Sequence, residues 1–283
     1  MLVTRFAPSP SGRLHRGHAF SALTAQAVAL SAGGRLILRI EDIDAARCRP
    51  DYEAAIFEDL AWLGLAWESP VRRQSDHLDD YAAALGRLRA AGLVYRCFKT
   101  RREILDDIGR APHEPTPVFT GGPLPARDEA ARLDAGEPFA WRLSLAAVQL
   151  TLGPAWDHLG FIEHGEGSGG ERGPQLARPE RAGDVILARK GGGVAYHLAV
   201  VVDDALQGIT HVVRGDDLFE AVHIQRLLQA LLHLPTPVYR HHRLLLRPDG
   251  KRFAKRDTAE TLAELRARGV SAAALRAELG LGR

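Results

Sequence analysis

The chain has 283 residues, of which 46% are hydrophobic and 25% are charged, enough to bury the core of one large or two smaller globular domains. Its formal net charge of +2, from 37 basic and 35 acidic residues, neither requires nor excludes a nucleic-acid partner. The absence of an 18-residue apolar run and of a signal-peptide pattern predicts a cytoplasmic protein with no membrane partner. Two cysteines, Cys48 and Cys97, indicate reduced thiols rather than a disulfide framework.

The first third of the chain alternates between strand and helix patterns. LVTRFAP (2–8) is typical of a short buried strand, and RLILRIED (35–42) is typical of a second strand. Between them, HRGHAFSALTAQAVALSAGG (15–34) predicts an Ala-rich helix that ends at a glycine pair. This order predicts a βαβ unit with a right-handed crossover, and hence an α/β fold on a parallel sheet. Amphipathic helices are expected at 51–65 and 77–92.

Prolines and glycines interrupt this pattern at 111–125 and 163–179, where two loops are expected. They bracket an inserted region with its own strand candidate, FAWRLSLAAVQL (139–150). The α/β pattern then resumes at 184–218, which predicts a hairpin entering a buried strand and then a further strand. A helix is expected at 221–234, and one or two short helices at 258–280.

The stretch RFAPSPSGRLHRGHAF (5–20) combines a proline-rich entry with two histidines at the predicted start of the first helix. In parallel α/β sheets, ligands bind beyond the carboxyl ends of the strands, and helix N-termini attract phosphates. His15 and His18 lie on one face of the first turn, and Gly17 allows close approach of a nucleotide to the backbone. The pattern indicates a phosphate site, although a capped surface helix with two solvated histidines gives the same short match.

Charged residues also occur near other predicted strand ends. Arg5 and Arg214 suit bidentate recognition of carboxylates, and Glu41 suits an α-ammonium group. Taken singly, such an arginine is more often part of a surface salt bridge. The nearby carboxylates are more often loop caps and turn formers, namely Asp42, Asp44, Asp203, Asp204, Asp216 and Asp217. The basic stretch at 240–256 predicts either a phosphate-binding surface or an ordinary solvated face.

Several motifs occur in one order along the chain: RFAPSPSG, LHRGH, RIEDID, YHLAVVVDD, VRGDD and KRFAKRD. In that order they resemble the catalytic core of the class I glutamyl-tRNA synthetases. LHRGH corresponds to the family's HIGH motif, and RFAKR (252–256) to its KMSKS motif. The likeness covers residues 1–110 and 180–260 and implies a Rossmann-like, doubly wound parallel sheet with an inserted subdomain and a short C-terminal helical segment.

The resemblance implies two sets of site residues. The positions that contact glutamate in the family correspond to Arg5, Phe6, Ala7, Pro8, Ser9, Glu41, Tyr196 and Arg214. The positions that contact ATP correspond to His15, Gly17, His18, Arg252 and Lys255, with His15, His18 and Lys255 as the catalytic residues. Ala254 and Arg252 depart from the serine and lysine common in the KMSKS motif, so a loop hydroxyl is lost and slow turnover is expected.

Where a full glutamyl-tRNA synthetase continues into anticodon-binding domains, this sequence ends soon after the KMSKS-like loop. It thereby resembles the truncated paralogues called glutamyl-Q tRNA(Asp) synthetases, which activate L-glutamate with ATP and attach it to queuosine in the anticodon of tRNA(Asp). A monomer is expected, with Mg²⁺ on the ATP phosphates. Zinc is not expected and no metal ligands are predicted, because Cys97 matches one ligand of the zinc site of relatives whereas Lys99 replaces the second.

The resemblance divides the chain into four predicted segments. The nucleotide-binding catalytic domain would comprise 1–94 and 181–240, interrupted by a connective subdomain at 95–180 and followed by the KMSKS-like loop and C-terminal helices at 241–283. Two other interpretations stay open. One is a truncated glutamyl-tRNA synthetase that charges the 3′ end of tRNA(Glu). The other is a non-catalytic nucleotide- or RNA-binding module, favoured if the RFAKR loop is too altered to work.

Overall fold

The structure is a computed structural model that describes residues 1–109, 118–245 and 260–281. The strands are β1 (Val3–Phe6), β2 (Arg35–Ile40), β3 (Arg72–Arg73), β4 (Val94–Cys97), β5 (Ala140–Leu143), β6 (Gly160–Glu163), β7 (Gly173–Leu176), β8 (Ile186–Ala188), β9 (His211–Gly215) and β10 (Val238–His242). The helices are α1 (Arg16–Ser31), α2 (Pro50–Trp62), α3 (Leu78–Ala90), α4 (Arg101–Gly109), α5 (Ala126–Asp134), α6 (Leu145–Leu152), α7 (Tyr196–Leu206), α8 (Ala221–Leu231), α9 (Leu262–Ala267) and α10 (Ala272–Glu278).

The predicted βαβ unit is β1, α1 and β2, with the two strands parallel. The glycine pair ends α1 as expected. Gly33 has a φ of 59°, in the left-handed region that favours glycine. A methyl group on Gly34 would overlap the carbonyl oxygen of Leu2, so the chain passes β1 there at close range.

Parallel strands form the central layer. One sheet has the order β1-β2-β3, and another has the order β7-β6-β10-β9, in which β7 is the antiparallel edge. β9 lies beside β1, and the Thr210 N–H donates to the Val3 carbonyl at 3.1 Å. The expected parallel α/β sheet is confirmed, and β1, β2, β9 and β10 all run toward the same edge.

Helices cover both faces of this layer. On β2, Ile37 belongs to a core with buried residues of α3, α7 and α8, whereas Leu36 and Leu38 belong to a core with residues of α1, α2, α9 and α10. Alternating strand residues thus reach opposite cores, as a doubly wound fold requires. None of the described helices has the length and apolar character needed to cross a bilayer.

The inserted region contains a separate antiparallel sheet of β4, β5 and β8. Only the first part of the strand candidate 139–150 is a strand, because the Ser144 side chain accepts the Ala147 N–H at 3.3 Å and begins α6. The segment 163–179, predicted as loop, contains β7. The four-segment division of the chain remains a prediction.

The buried strand expected within 184–218 is wrong, because its apolar run forms the helix α7. Every residue from Leu198 to Asp204 is buried, so the run carries no polar face that would reveal a helical period. Fully buried helices and fully buried strands are alike in this respect. The expected hairpin and the following strand are present, with an Ala188–Val194 bridge at the hairpin and β9 after α7.

Candidate active site

A cleft of about 500 Å³ lies at the carboxyl ends of β1, β2 and β9. All the predicted site residues that the structure describes line it: Arg5, Phe6, Ala7, Pro8, Ser9, His15, Gly17, His18, Glu41, Tyr196 and Arg214. Arg252 and Lys255 lie outside the described residues. The fold therefore brings both predicted sets together at the expected sheet edge, and their roles toward glutamate and ATP remain predictions.

The N-terminus of α1 forms one wall of the cleft. The His15 side chain caps the helix, since its Nδ1 accepts the Gly17 N–H at 3.1 Å. His18 reaches back, and its Nδ1 accepts the His15 N–H at 3.2 Å. Because a backbone N–H only donates, both rings must be neutral, with the proton on Nε2. The centroids of the two rings lie 3.9 Å apart, and both rings therefore present an Nε2–H group at the same helix terminus.

Arg5 and Glu41 are held by one buried charge network. Asp204 accepts from Arg5 Nε at 3.2 Å and from Arg39 Nη1 at 2.8 Å, and Arg39 Nη2 donates to Glu41 at 2.9 Å. Burial alone would lower the pKa of the fully buried Arg39, yet Asp204, Glu41 and Asp203 raise it, so this guanidinium stays charged. Arg39 thus links the two predicted glutamate-binding residues.

The same network gives opposite pKa directions to two of its carboxylates, Glu41 and Asp204. Burial raises the pKa of Glu41, although Arg39 and Arg5 oppose this shift. Burial also opposes ionisation of Asp204, but Arg5 and Arg39 hold the pKa of that carboxyl below its usual range. Asp204 therefore acts as the permanent anion that fixes both arginines.

Asp203 and Asp204 are not turn formers, contrary to the expectation for these carboxylates. Both are buried in α7, where Asp203 accepts from Arg72 and Gln74 at 2.8 Å and from the Tyr81 hydroxyl at 2.9 Å. The misassigned strand explains the error, since an acidic pair after a strand would lie in a turn.

Other aspartates do occupy loops and turns. Asp42 accepts the N–H and the hydroxyl of Ser75 at 2.8 and 2.6 Å, and Asp44 accepts from Arg47 at 2.6 Å. Asp216 and Asp217 begin a short 3₁₀ turn after β9, and Asp217 also lines the cleft. The expectation of loop caps and turn formers thus holds for these four residues, with Asp42 as a cap and Asp44, Asp216 and Asp217 in turns.

Arg214 is buried on β9, with 4% of its surface exposed. Its Nε donates to His241 Nε2 at 3.0 Å, Nη1 donates to the Tyr196 hydroxyl at 3.3 Å, and Nη2 donates to the Leu218 carbonyl at 3.0 Å. The surface salt bridge that is usual for a single arginine is thus not what holds Arg214. Its guanidinium is fixed at the cleft wall by polar neutral groups.

Sequence reasoning missed several cleft residues: Phe20, Ser21, Leu218, His242, Leu244 and Leu245. His242 ends β10, its Nε2 lies 3.1 Å from the Ser21 hydroxyl, and its ring meets Phe20 edge-on at 5.1 Å. The available signal was its place in the basic stretch 240–256. The part of that stretch that is described, 240–245, reaches the cleft through His242, Leu244 and Leu245.

Within 1–109, 118–245 and 260–281, no group of three His, Cys, Asp or Glu side chains is arranged to hold a metal ion. Cys97 is buried against Tyr95 and Phe119, and Lys99 pairs with Asp107 at 2.5 Å. The expectation that the chain holds no zinc stays a prediction.

Comparisons with known proteins agree on one family. The model of the class I tRNA synthetases (E and Q), catalytic domain, matches residues 1–117 and 172–281. The chain is 48% identical to a glutamyl-Q tRNA(Asp) synthetase of Rhodobacter capsulatus, over 99% of this chain and 100% of that protein. For the corresponding protein of Nocardia farcinica the identity is 44%, over 94% of this chain and 80% of the relative.

Longer proteins are also similar. A glutamate–tRNA ligase 2 of Dinoroseobacter shibae is 38% identical over 97% of this chain, which spans 60% of that relative. Among solved structures, the glutamate-tRNA synthetase from Elizabethkingia anophelis superposes with a TM-score of 0.73 at 28% identity, over 90% of this chain and 53% of that one. The shared part is thus the half of the longer protein that carries this α/β core.

Proposed function

The chain belongs to the class I tRNA synthetases (E and Q), and from that premise we propose that it activates L-glutamate with ATP and transfers it to queuosine in the anticodon of tRNA(Asp). One observation carries the proposal: a single cleft is lined by the two buried arginines Arg5 and Arg214, by Glu41, and by the two-histidine terminus of α1. The end-to-end similarity to a glutamyl-Q tRNA(Asp) synthetase supports this choice of acceptor. Mg²⁺, a cytoplasmic location and a monomeric state are part of the proposal.

In the first step, a carboxylate oxygen of glutamate attacks the α-phosphorus of ATP and pyrophosphate leaves, which gives glutamyl-adenylate. Arg5 and Arg214 bind the carboxylates of glutamate, and Glu41 binds its α-ammonium group. A glutamate held in this way presents its nucleophile at a fixed distance, and such positioning supplies much of the rate in a bimolecular reaction.

Stabilisation of charge on the phosphates falls to the α1 terminus. The Nε2–H groups of His15 and His18 and the positive end of the helix dipole act on the developing charge without needing to reorganise. Mg²⁺ bound to the ATP phosphates would neutralise further charge.

In the second step, a hydroxyl of queuosine attacks the carbonyl carbon of the mixed anhydride, and AMP leaves. The anhydride is reactive enough for alignment to suffice, and we assign no general base. A base in an anticodon loop is unpaired, so its edges and faces can be contacted by a protein, which allows the reactive nucleotide and the identity nucleotides to be read together.

Glutamate activation is tested by pyrophosphate exchange with glutamate, ATP and enzyme alone. We expect exchange without tRNA, because the described cleft contains the residues assigned to both small substrates. Exchange that requires added tRNA would contradict a complete activation site in this chain.

The acceptor is tested by transfer of labelled glutamate to three RNAs: tRNA(Asp) with queuosine, the same tRNA with guanosine at that position, and tRNA(Glu). Each RNA is also prepared without its 3′-terminal adenosine, which removes the ordinary acceptor and leaves queuosine intact. We expect label only on queuosine tRNA(Asp), unchanged by the truncation and confined to the anticodon fragment after ribonuclease digestion. Label on tRNA(Glu) that disappears with the terminal adenosine would favour the 3′-charging alternative, and no label on any RNA would favour a binding module.

A further inference from the structure

Behind the cleft, Glu163, His241 and Arg214 form a buried hydrogen-bonded series. His241 Nδ1 lies 2.6 Å from Glu163 Oε2, and Arg214 Nε donates to His241 Nε2 at 3.0 Å. The side chains of His241 and Glu163 have no exposed surface, and neither residue lines the cleft. Among the described residues, the hydrogen bonds of these two side chains reach the cleft lining at Arg214.

Hydrogen-bond roles fix the proton on the imidazole. Arginine Nε only donates, so His241 Nε2 must accept, and the ring proton must lie on Nδ1, where it is donated to Glu163. Burial lowers the pKa of His241, against the opposing effect of Glu163, which agrees with a neutral ring. A proton on Nε2 instead would place two donors against each other.

The backbone holds Glu163 in this orientation. Its Oε1 accepts the N–H groups of His241 at 2.9 Å and Gly165 at 2.6 Å. A methyl group on Gly165 would overlap backbone atoms of His241, so the chain turns tightly around the carboxylate. The Phe219 ring packs against His241 at 5.2 Å between centroids and excludes water from this side.

We propose that Glu163 and His241 are positioning residues that set the orientation of Arg214 for glutamate, an inference that rests on the proposed function. The guanidinium of Arg214 has five N–H groups. Three of them, each on a different nitrogen, donate to His241, Tyr196 and Leu218. In the described structure this leaves one N–H on each terminal nitrogen available to a carboxylate, which can accept two such groups together. Rotation of the guanidinium plane would turn this pair away, and the bond to His241 is what opposes rotation at Nε.

The test compares two polar substitutions of His241, each of which keeps one of the two hydrogen bonds of its ring. In His241→Asn the shorter amide keeps a contact to Glu163 but ends short of Arg214. In His241→Gln the amide oxygen occupies the place of Nε2 and accepts from Arg214. His223→Asn is the matched control, because His223 is buried beside the same Phe219 ring, and within the described structure its ring nitrogens make no hydrogen bond.

Steady-state pyrophosphate exchange then gives kcat and the KM values for glutamate and ATP, with thermal unfolding of each variant as a check of folding. We expect His241→Asn to raise the KM for glutamate at least about tenfold and to leave the KM for ATP within about twofold. His241→Gln should recover most of the lost glutamate affinity, and His223→Asn should match the wild type. A His241→Asn enzyme with unchanged KM for glutamate, or with glutamate and ATP equally affected, would overturn the inference.

Failure of the proposed function has a different signature. Wild-type protein that binds glutamate in calorimetry but catalyses no exchange would contradict adenylate formation and not the role of His241. The same variants are then compared by their Kd for glutamate, with the same expected order. Equal Kd values for His241→Asn and wild type would again overturn the inference.

Discussion

At the residue scale, the start of α1 holds its two histidines, His15 and His18, in place. Each imidazole accepts a backbone N–H of the same turn, so the helix terminus orients the rings and the rings cap the helix. Gly17 is the residue that leaves room for this arrangement. A Cβ atom there would lie 3.0 Å from Cε1 and 3.2 Å from Nδ1 of His15, closer than ordinary contacts allow.

We therefore expect Gly17→Ala to shift the His15 ring and to lower kcat in pyrophosphate exchange about tenfold, since small displacements of catalytic groups are costly. Stability should not fall with it, because alanine is the better helix former by about 0.5–1 kcal/mol. Gly86→Ala in α3 is the control: nothing lies within 4 Å of its added Cβ, so this variant should gain stability and keep full activity. Wild-type kcat in Gly17→Ala would show that the ring position is not critical.

At the element scale, α2 carries a buried carboxylate against α9. Asp59 has no exposed surface, and neither of its oxygens has a hydrogen-bond partner in the described structure. The nearest charge is Arg266 of α9, whose Nη1 lies 3.7 Å away while its Nη2 donates to Glu58. Burial raises the pKa of Asp59 to about 6, which means that the ionised form costs stability.

Asp59→Asn should raise the free energy of unfolding at pH 8 by about 1–2 kcal/mol, because it removes an incompletely paired buried charge. The gain should shrink between about pH 6 and pH 4, where folded Asp59 is protonated in any case. Urea unfolding at several pH values measures both effects. Glu58→Gln, which removes only the exposed partner of Arg266, should change stability by less than about 0.5 kcal/mol. A destabilised Asp59→Asn variant would mean that the attraction to Arg266 outweighs the cost of burial.

Elements with a clear period or a terminal signal were predictable from sequence. β1, α1 and β2 follow from alternating apolar runs and a glycine pair, and α8 follows from helical spacing. α7 was not predictable in this way, because a helix buried on all sides shows no polar face. β7 has the sequence GPQL, and it is a strand because it pairs with β6, a tertiary contact that local propensity does not reveal.

At the scale of the whole molecule, the cleft residues were predictable because parallel strands end at one edge of the sheet. Arg5, Glu41 and Arg214 follow from that rule together with the family motifs. Glu163 and His241 carry no such signal, since they meet only through the pairing of β6 with β10. The residues that hold the cleft side chains in place come from elements far apart in sequence. The same is true of the network through Arg39 and Asp204, which are 165 residues apart.

Burial also sets how the molecule responds to acid. The pKa is lowered, chiefly by burial, in the histidines His197, His211, His223, His241 and His242. In the unfolded chain these imidazoles take up protons near pH 6.5, whereas the folded chain resists protonation, with the pKa of His197 at about 4. Stability is therefore greatest above about pH 6.5 and falls as the pH drops below it.

Two carboxylates act in the opposite direction. The pKa values of Asp59 and Glu41 are raised in the folded state, that of Asp59 to about 6, so their protonation as the pH falls stabilises the fold relative to the unfolded chain. Because more histidines than such carboxylates are shifted, we expect a net loss of stability between pH 6.5 and pH 4.5. One histidine that stays neutral in the folded state changes the free energy of unfolding by up to about 1.4 kcal/mol per pH unit.

Urea unfolding at half-unit steps from pH 8 to pH 4.5 measures this slope, and two substitutions separate its sources. His197→Asn should flatten the curve between pH 6.5 and pH 4.5, since it removes the imidazole with the largest resolved shift. Asp59→Asn should steepen it, since it removes a group that binds a proton more tightly when folded. If stability instead rose as the pH fell through this window, the carboxylates would dominate, and the histidines would have to be protonated within the fold.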